Sequence, residues 1–566
     1  MTNMNRSRLH RSNDWFDTPE LYGWLRNAAL KSRGFTDAVS KGRPIIGICN
    51  SWSELTHCND HLRDLAESVK RGVLKAGGIP MEFPVMSLGE YNMRPTAMLY
   101  RNLMSMDVEE SIKANPLDGV VMLGGCDKTT PGMLMGAASA DVPTIMVTGG
   151  PQLKAWWRGE ELGTCTDCRR YQNELLAGRL SQDDWIDLQE NIISSPGHCG
   201  VMGTASTMAA MAESLGMALP GNTAIPAAHS DRKKLAEWAG HSVIEIVKRD
   251  LRPSKLLTMR SFENAIRTLH AIGGSTNAII HLIAIAGRVG IYLNLDVFDR
   301  LSKSTPVLLN LKPSGQKLME DFYYAGGLPA ILNELGNSLH LNAPSVTGKS
   351  MGANIENARI RDDDVIRNLS NPINKEGGLA VLKGTLAPDG ALIKQSAASP
   401  ELLVHRGRAV VFEGHDDMLN RIDNPDLEVK PDDVLVMRNS GPLGGPGMPE
   451  WGFLPIPRKL LKMGIRDMVR ISDARMSGTA FGTVVVHVTP ESEKGGPLAA
   501  ICTGDMIDID VPGRRLDLMV DGQLVNQRLS NRKNTRSLTD RGYMWIYAKH
   551  VLQADKGCDF DFLRTL

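Results

Sequence analysis

The chain has 566 residues, 42% of them hydrophobic and 23% charged, a balance that fits an ordinary globular protein of roughly two to four domains. Its 64 basic and 64 acidic residues cancel to a formal net charge of zero, which argues against nucleic-acid binding as the main activity. No apolar run approaches the ~20 residues of a membrane helix, and Met1 to Arg8 lead into no apolar signal core, so a cytoplasmic protein without a membrane partner is expected.

Residues 1–40 read as an irregular, partly helical lead-in. Arg43 to Asn50 is a strand candidate, followed by the loop Ser51 to Asn59, which holds Cys58. Leu62, Leu65, Val69 and Val73 recur at a helical period, which predicts a helix over 60–76, stopped by Gly77 and Gly78. Ile79 to Met86 is extended and leads to Glu90. Asp118 to Leu123 is an apolar run bounded by turn residues, a buried strand. Gly124-Gly125-Cys126-Asp127-Lys128 follows it, and Pro131 is suited to open a helix that runs to Ala140. Val142 to Thr148 is the next strand. This alternation predicts a doubly wound parallel sheet with helices on both faces.

Residues 151–195 are polar and read as helical, with Cys165 and Cys168 in a Cys-X-X-Cys pair. The turn-rich loop Ser195 to Gly200 holds Cys199 and enters a helix over 203–219. Residues 220–345 are mostly helical. Within them the loop Gly273 to Asn277 reads either as an anion-approaching turn or as an ordinary cap. The texture changes between 350 and 380. The division expected is 1–375, an α/β domain, and 376–566, a mainly β, barrel-like domain. Its strands are read at 409–412, 434–437, 469–471 and 483–488, with a hairpin around Pro512-Gly513.

A thiol, a carboxylate and an amine thus stand side by side at the carboxyl end of a strand, where open parallel sheets place their chemistry. A thiolate suits a soft metal site and a carboxylate a hard ion such as Mg²⁺. Two readings stand at this point: two metals meeting here, or a buried cysteine beside a surface ion pair. The eight cysteines, at 49, 58, 126, 165, 168, 199, 502 and 558, suit metal binding or catalysis better than disulfides in a cytoplasmic chain. Cys58, Cys126 and Cys199 all lie in loops and converge if those loops share one end of the sheet, although their spacing carries no metal signature. Three thiolates would leave one iron of an iron–sulfur cluster open as a Lewis acid. Cys165 and Cys168 read as a redox pair or half a zinc site, with no second close pair to complete one. Glu90, Asp127 and Glu450 are oxygen ligands near loop ends.

Six stretches stand in order along nearly the whole chain: Thr56-His-Cys-Asn59, Gly125-Cys-Asp-Lys-Thr-Thr-Pro131, Cys199-Gly-Val-Met-Gly-Thr-Ala-Ser-Thr207, Gly273-Gly-Ser-Thr-Asn277, Gly444-Gly-Pro-Gly-Met-Pro-Glu450 and Ser472-Asp-Ala-Arg-Met-Ser-Gly478. With them the sequence resembles the dihydroxy-acid and sugar-acid dehydratase family, and its sugar-acid branch most. The resemblance implies that Cys58, Cys126 and Cys199 hold a [2Fe–2S] cluster. It implies that Glu90, Asp127 and Glu450 bind Mg²⁺, joined by Lys128 once carbamylated. Ser477 matches the base that takes the C2 proton, and Thr479 beside it contacts substrate. The activity implied is conversion of an aldonate, such as L-arabinonate or one of D-galactonate or D-fuconate type, to its 2-keto-3-deoxy acid. The alternative is the dihydroxy-acid dehydratase of branched-chain amino-acid synthesis, and a redox or iron-sensing protein is a third reading. A homodimer or homotetramer is implied. His57 and His198 depart from the family pattern, and Cys165 and Cys168 lie outside it.

Overall fold

Two β-sheets organise the chain, one early and one late in the sequence. The computed structural model describes residues 10–18, 20–36, 42–532 and 541–565. The expected lead-in therefore falls partly outside the described residues; within them, Asn13–Phe16 and Leu21–Ser32 are helical.

The first sheet has four strands: β1 (Ile45–Asn50), β2 (Ile79–Pro84), β3 (Gly119–Gly124) and β4 (Thr144–Thr148). They run parallel in the order β2-β1-β3-β4. Every residue of β1, β3 and β4 is buried, which is why these strands read as unbroken apolar runs. Between them run α1 (Leu62–Lys75), α2 (Arg101–Ala114) and α3 (Thr129–Ala140). Right-handed crossovers put α1 on one face and α2 and α3 on the other. Of the later helices, α4 (Cys165–Leu176) packs towards the second sheet, whereas α5 (Thr204–Ser214), α6 (Ser230–Lys248) and α7 (Asn277–Arg288) complete the layers. α6 packs on α1, where a side chain at Gly72 would collide with the Glu237 carbonyl. The connection from β1 goes to one side and that from β3 to the other. The crevice beyond their carboxyl ends is thus the switch point at which such sheets bind ligands.

Some local expectations shift. Pro131 is the third residue of α3, not the first; its missing N–H costs nothing there because first-turn N–H groups have no helical partner. The helix expected over 203–219 ends at Ser214. The segment 151–195 is not helical throughout: Ala155–Trp157 and Glu160–Leu162 form a short antiparallel hairpin.

The second sheet has eight strands: β5 (Ala380–Leu382), β6 (Gly390–Ile393), β7 (Val404–Phe412), β8 (Val434–Met437), β9 (Arg470–Ser472), β10 (Val484–Thr489), β11 (Met506–Asp510) and β12 (Arg515–Leu518). Their order is β12-β11-β7-β8-β9-β10-β6-β5, with β7 to β10 parallel and the outer strands antiparallel. Lys383 pairs with Arg515, so the two edges meet and the sheet is nearly a closed barrel. Alternate residues of β7 and β8 divide between two cores. Ala409, Val411, Val434 and Val436 point to one, and Val410, Phe412, Leu435 and Met437 to the other. The end of the chain returns to the first sheet's helices. There Arg288 of α7 forms a buried ion pair with Asp559 at 2.7 Å, and Arg101 of α2 donates to the carbonyls of Gly557 and Cys558. Among the described residues no helix is long and apolar enough to cross a membrane.

Candidate active site

Cys58 lies in a single turn, His57–Asn59, beyond β1, and Cys126 lies two residues beyond β3. Both therefore open onto the switch point. Asn59 ties three loops together: its side-chain oxygen accepts from the Gly125 N–H at 2.9 Å, and its amide donates to Ser87 Oγ at 2.8 Å and Thr129 Oγ1 at 3.4 Å. A side chain at Gly125 would stand 2.9 Å from the Cys58 carbonyl, so glycine lets the two loops close. Hydrogen bonding to Cys126, with burial and the nearby Cys199, pushes the Cys58 thiol well up.

The loop bearing Cys199 is held to the loop after β4, where His198 N donates to the Gly150 carbonyl and Gln152 N to that of His198. The His198 ring is buried and held neutral, down to about 3, and Ser206 Oγ lies 3.4 Å from its Nδ1. Cys165, at the start of α4, joins the same group: its Sγ is 3.2 Å from Cys199 Sγ and 2.9 Å from the Tyr91 hydroxyl.

Beside the thiols, the Lys128 ammonium is fully buried between three carboxylates. It stands 3.3 Å from Asp127 Oδ2, 3.3 Å from Glu450 Oε1 and 3.5 Å from Glu90 Oε2. Glu90 comes from the segment after β2 and accepts from Thr96 Oγ1 at 2.6 Å. Glu450 comes from the second sheet's loops and accepts from Arg475 at 3.0 Å and Asn277 at 3.1 Å. Burial, with Glu450 and Glu90 close by, pushes Asp127 up to about 6. Against burial, Lys128 and Arg475 hold Glu450 down to about 2. Among the described residues no three His, Cys, Asp or Glu side chains already stand at metal-coordinating positions. The carboxylates close on an ammonium instead, and Glu90 Oε2 is buried without a hydrogen bond.

Ser477 and Thr479 lie in the loop between β9 and β10, their hydroxyls 2.8 Å apart. The Thr479 N–H also donates to Ser477 Oγ, at 3.4 Å. Gly478 lets this loop press on the start of α5 and on Ser275: a Cβ there would be 2.7 Å from Thr204 N. Lys394, fully buried at the end of β6, donates to the Gly478 carbonyl at 3.3 Å, and burial pulls it down to about 7. The loop Gly273 to Asn277 braces the site and does not line it: Asn277 donates to Glu450 and to the Met476 carbonyl.

These groups face one cavity of about 190 Å³. Its wall carries Cys58, Cys126 and Cys199, Glu90, Asp127 and Glu450, and Ser477 and Thr479; Lys128 sits behind it. Sequence reasoning missed Tyr91 and Arg169 on this wall, and Arg475, Asn277 and Lys394 behind it. Arg169 had a signal: it lies four residues after Cys165, on the same face of α4. Just after Glu450, Trp451 stacks on His415, while Phe453 packs under the Arg169 guanidinium.

Residues 43–354 match the family described as dihydroxy-acid/6-phosphogluconate dehydratase N-terminal, and residues 364–558 its C-terminal counterpart. The chain is 50% identical over 564 residues to the L-arabinonate dehydratase of Rhizobium leguminosarum bv. trifolii (strain WSM2304), an alignment spanning 98% of this chain and 96% of that one. It is 52% identical over 562 residues, with the same coverage, to the L-arabonate dehydratase of Azospirillum brasilense. It is 40% identical over 541 residues to the dihydroxy-acid dehydratase of Caldicellulosiruptor bescii, covering 94% of this chain and 97% of that one.

Proposed function

The chain belongs to the dihydroxy-acid/6-phosphogluconate dehydratase family of hydro-lyases, and from that premise we propose that it removes water from a sugar acid of the L-arabinonate, D-galactonate or D-fuconate kind to give the 2-keto-3-deoxy acid. The observation that carries this reading is the meeting of three thiols, three carboxylates around one buried cation and a serine hydroxyl at one small cavity.

The donor sets suit two different metals. Cys58, Cys126 and Cys199 are soft donors that fit a [2Fe–2S] cluster, and Glu90, Asp127 and Glu450 are hard donors that fit Mg²⁺. Their gathering around one positive charge, with a Glu90 oxygen buried and without a hydrogen bond, supports the second assignment. Carbamylation of Lys128 would replace its positive charge with a further carboxylate. Bound there, the cluster would supply a Lewis-acidic iron for the departing 3-hydroxyl, and Mg²⁺ would steady the charge on the acid's oxygens.

The chain's own groups handle the proton. Ser477 Oγ takes it from C2. A serine hydroxyl is a weak acid, so its alkoxide needs donors, and Thr479 supplies two, its hydroxyl and its N–H. The enol left after water departs becomes the keto acid.

The wall supports a sugar acid over a branched-chain acid. Tyr91, Asn92, Arg169 and His57 face the cavity beside Leu55 and Ala205 and offer it hydroxyl, amide, guanidinium and imidazole groups. The extra hydroxyls of an aldonate find partners there, whereas an alkyl tail leaves buried polar groups unpaired. The discriminating experiment is a comparison of kcat/KM on anaerobically purified protein with Mg²⁺. L-arabinonate, D-xylonate, D-galactonate, D-gluconate, D-fuconate and 2,3-dihydroxyisovalerate would be compared. An aldonate is expected to lead; a lead for 2,3-dihydroxyisovalerate would return the protein to amino-acid synthesis.

A further inference from the structure

Cys165 is a fourth thiol in a pocket whose proposed cluster needs only three. Its sulfur lies 3.2 Å from that of Cys199, and the Tyr91 hydroxyl lies across the pair, 2.9 Å from Cys165 and 3.4 Å from Cys199. Two sulfurs on one tetrahedral metal centre, each ~2.3 Å from it, stand ~3.8 Å apart. A shift of about half an ångström takes the pair from one spacing to the other.

The segment is fastened on both sides. Thr164 turns the chain at a φ of 42°, in the left-handed region that a β-branched residue holds only where its surroundings impose it. Its hydroxyl donates to Gln152 at 2.8 Å. The Thr166 hydroxyl donates to the Thr479 carbonyl at 2.9 Å, so the Cys165 turn is bound to the loop of the proposed base. The buried Asp167 accepts from Gly163 N at 2.6 Å and from Lys312 at 2.9 Å. Cys168 is not on the cavity wall, and its thiol donates to the Cys165 carbonyl.

We propose that in the substrate-free protein Cys165 is a fourth thiolate ligand of the cluster, on the iron that Cys58, Cys126 and Cys199 leave short. The inference rests on the reading of those three residues as cluster ligands. Substrate then competes with Cys165 for this place. The sulfur leaves as a thiolate and takes up one proton, and nothing is oxidised or reduced.

The test is ⁵⁷Fe Mössbauer spectroscopy of the loaded, full-length protein and of Cys165→Ala and Cys168→Ser, with iron and sulfide measured on each. Substrate-free wild type and Cys168→Ser are expected to show all-sulfur surroundings at both irons. Cys165→Ala should show one iron shifted, and saturating L-arabinonate should shift the wild-type spectrum in the same way. Identical substrate-free spectra for wild type and Cys165→Ala, at equal iron and sulfide, would overturn the proposal and leave the cluster reading standing. If Cys165→Ala fails to fold or load, the wild-type spectrum decides alone: an iron without four sulfurs before substrate is added overturns it. A wild-type protein that takes up no iron and sulfide overturns both readings.

Discussion

Ser477 and Lys394 show how differently single residues bear on the site. The Ser477 hydroxyl accepts from the Thr479 N–H, shares a hydrogen bond with the Thr479 hydroxyl and has no acidic or imidazole partner among its hydrogen bonds, so the role proposed for it is that of an assisted alkoxide. Ser477→Ala is expected to lower kcat by about 10²–10⁴ while iron content stays at the wild-type level, checked by steady-state turnover and metal analysis. Lys394 has one carbonyl partner and lies at about 7 instead of 10.5 because burial disfavours its charge. The unfolded chain then binds that proton more tightly than the folded one, so stability falls as pH drops from about 10.5 to about 7 and levels off below. Lys394→Met lacks this term. Between pH 10 and pH 7 wild type should lose about 3 kcal/mol relative to Lys394→Met, measured by urea unfolding of both proteins at the two pH values. Neither residue announces itself locally. Ser477 and Thr479 were legible only through the resemblance carried by Ser472 to Gly478. Lys394 was not legible at all, because nothing beside it in sequence says that the end of β6 folds beneath the 477–479 loop.

At the scale of elements, the first sheet was the most readable part of the chain. Parallel strands buried on both faces must be apolar throughout, and β1, β3 and β4 are. The order β2-β1-β3-β4 then fixes the switch point, and with it the meeting of Cys58 and Cys126. That meeting depends on Gly125. Gly125→Ala would place a Cβ 2.9 Å from the Cys58 carbonyl and force the two loops apart. It is expected to cost about 1–3 kcal/mol by overpacking and to lower iron per chain, read by thermal unfolding and iron assay. The hairpin at 155–162 was missed because its strands are three residues long, too short for a period to show. Its one signal was the turn itself: Arg158 and Gly159 both have positive φ, as a two-residue hairpin loop requires. Cys165 was legible as half of a pair but not as a pocket residue, since its place depends on a long-range approach to Cys199.

Across the whole molecule, the site draws Cys58, Cys126 and Lys128 from loops of the first sheet, Cys199 from a loop between later helices, and Glu450 and Ser477 from loops of the second sheet. The alternating early pattern, the short late strands and the barrel-like character of the second sheet were readable; which edges meet to close it was not, because closure pairs Lys383 with Arg515, far apart in sequence. The return of the chain end was equally hidden. It is held by Arg288 and Asp559, both buried, and removing one partner leaves a charge with no solvent to screen it. Asp559→Ala should therefore destabilise the protein by about 3–5 kcal/mol, seen as a lower denaturation midpoint, whereas exposed pairs such as Lys248 with Glu245 should cost under about 1 kcal/mol. The most direct test of the proposed activity is NMR of the product formed from L-arabinonate by the anaerobically loaded enzyme with Mg²⁺. Loss of one water, with a ketone at C2 and a methylene at C3, is the predicted result. A loaded enzyme that leaves every aldonate unchanged, or that oxidises it without losing water, would contradict the sugar-acid dehydratase reading.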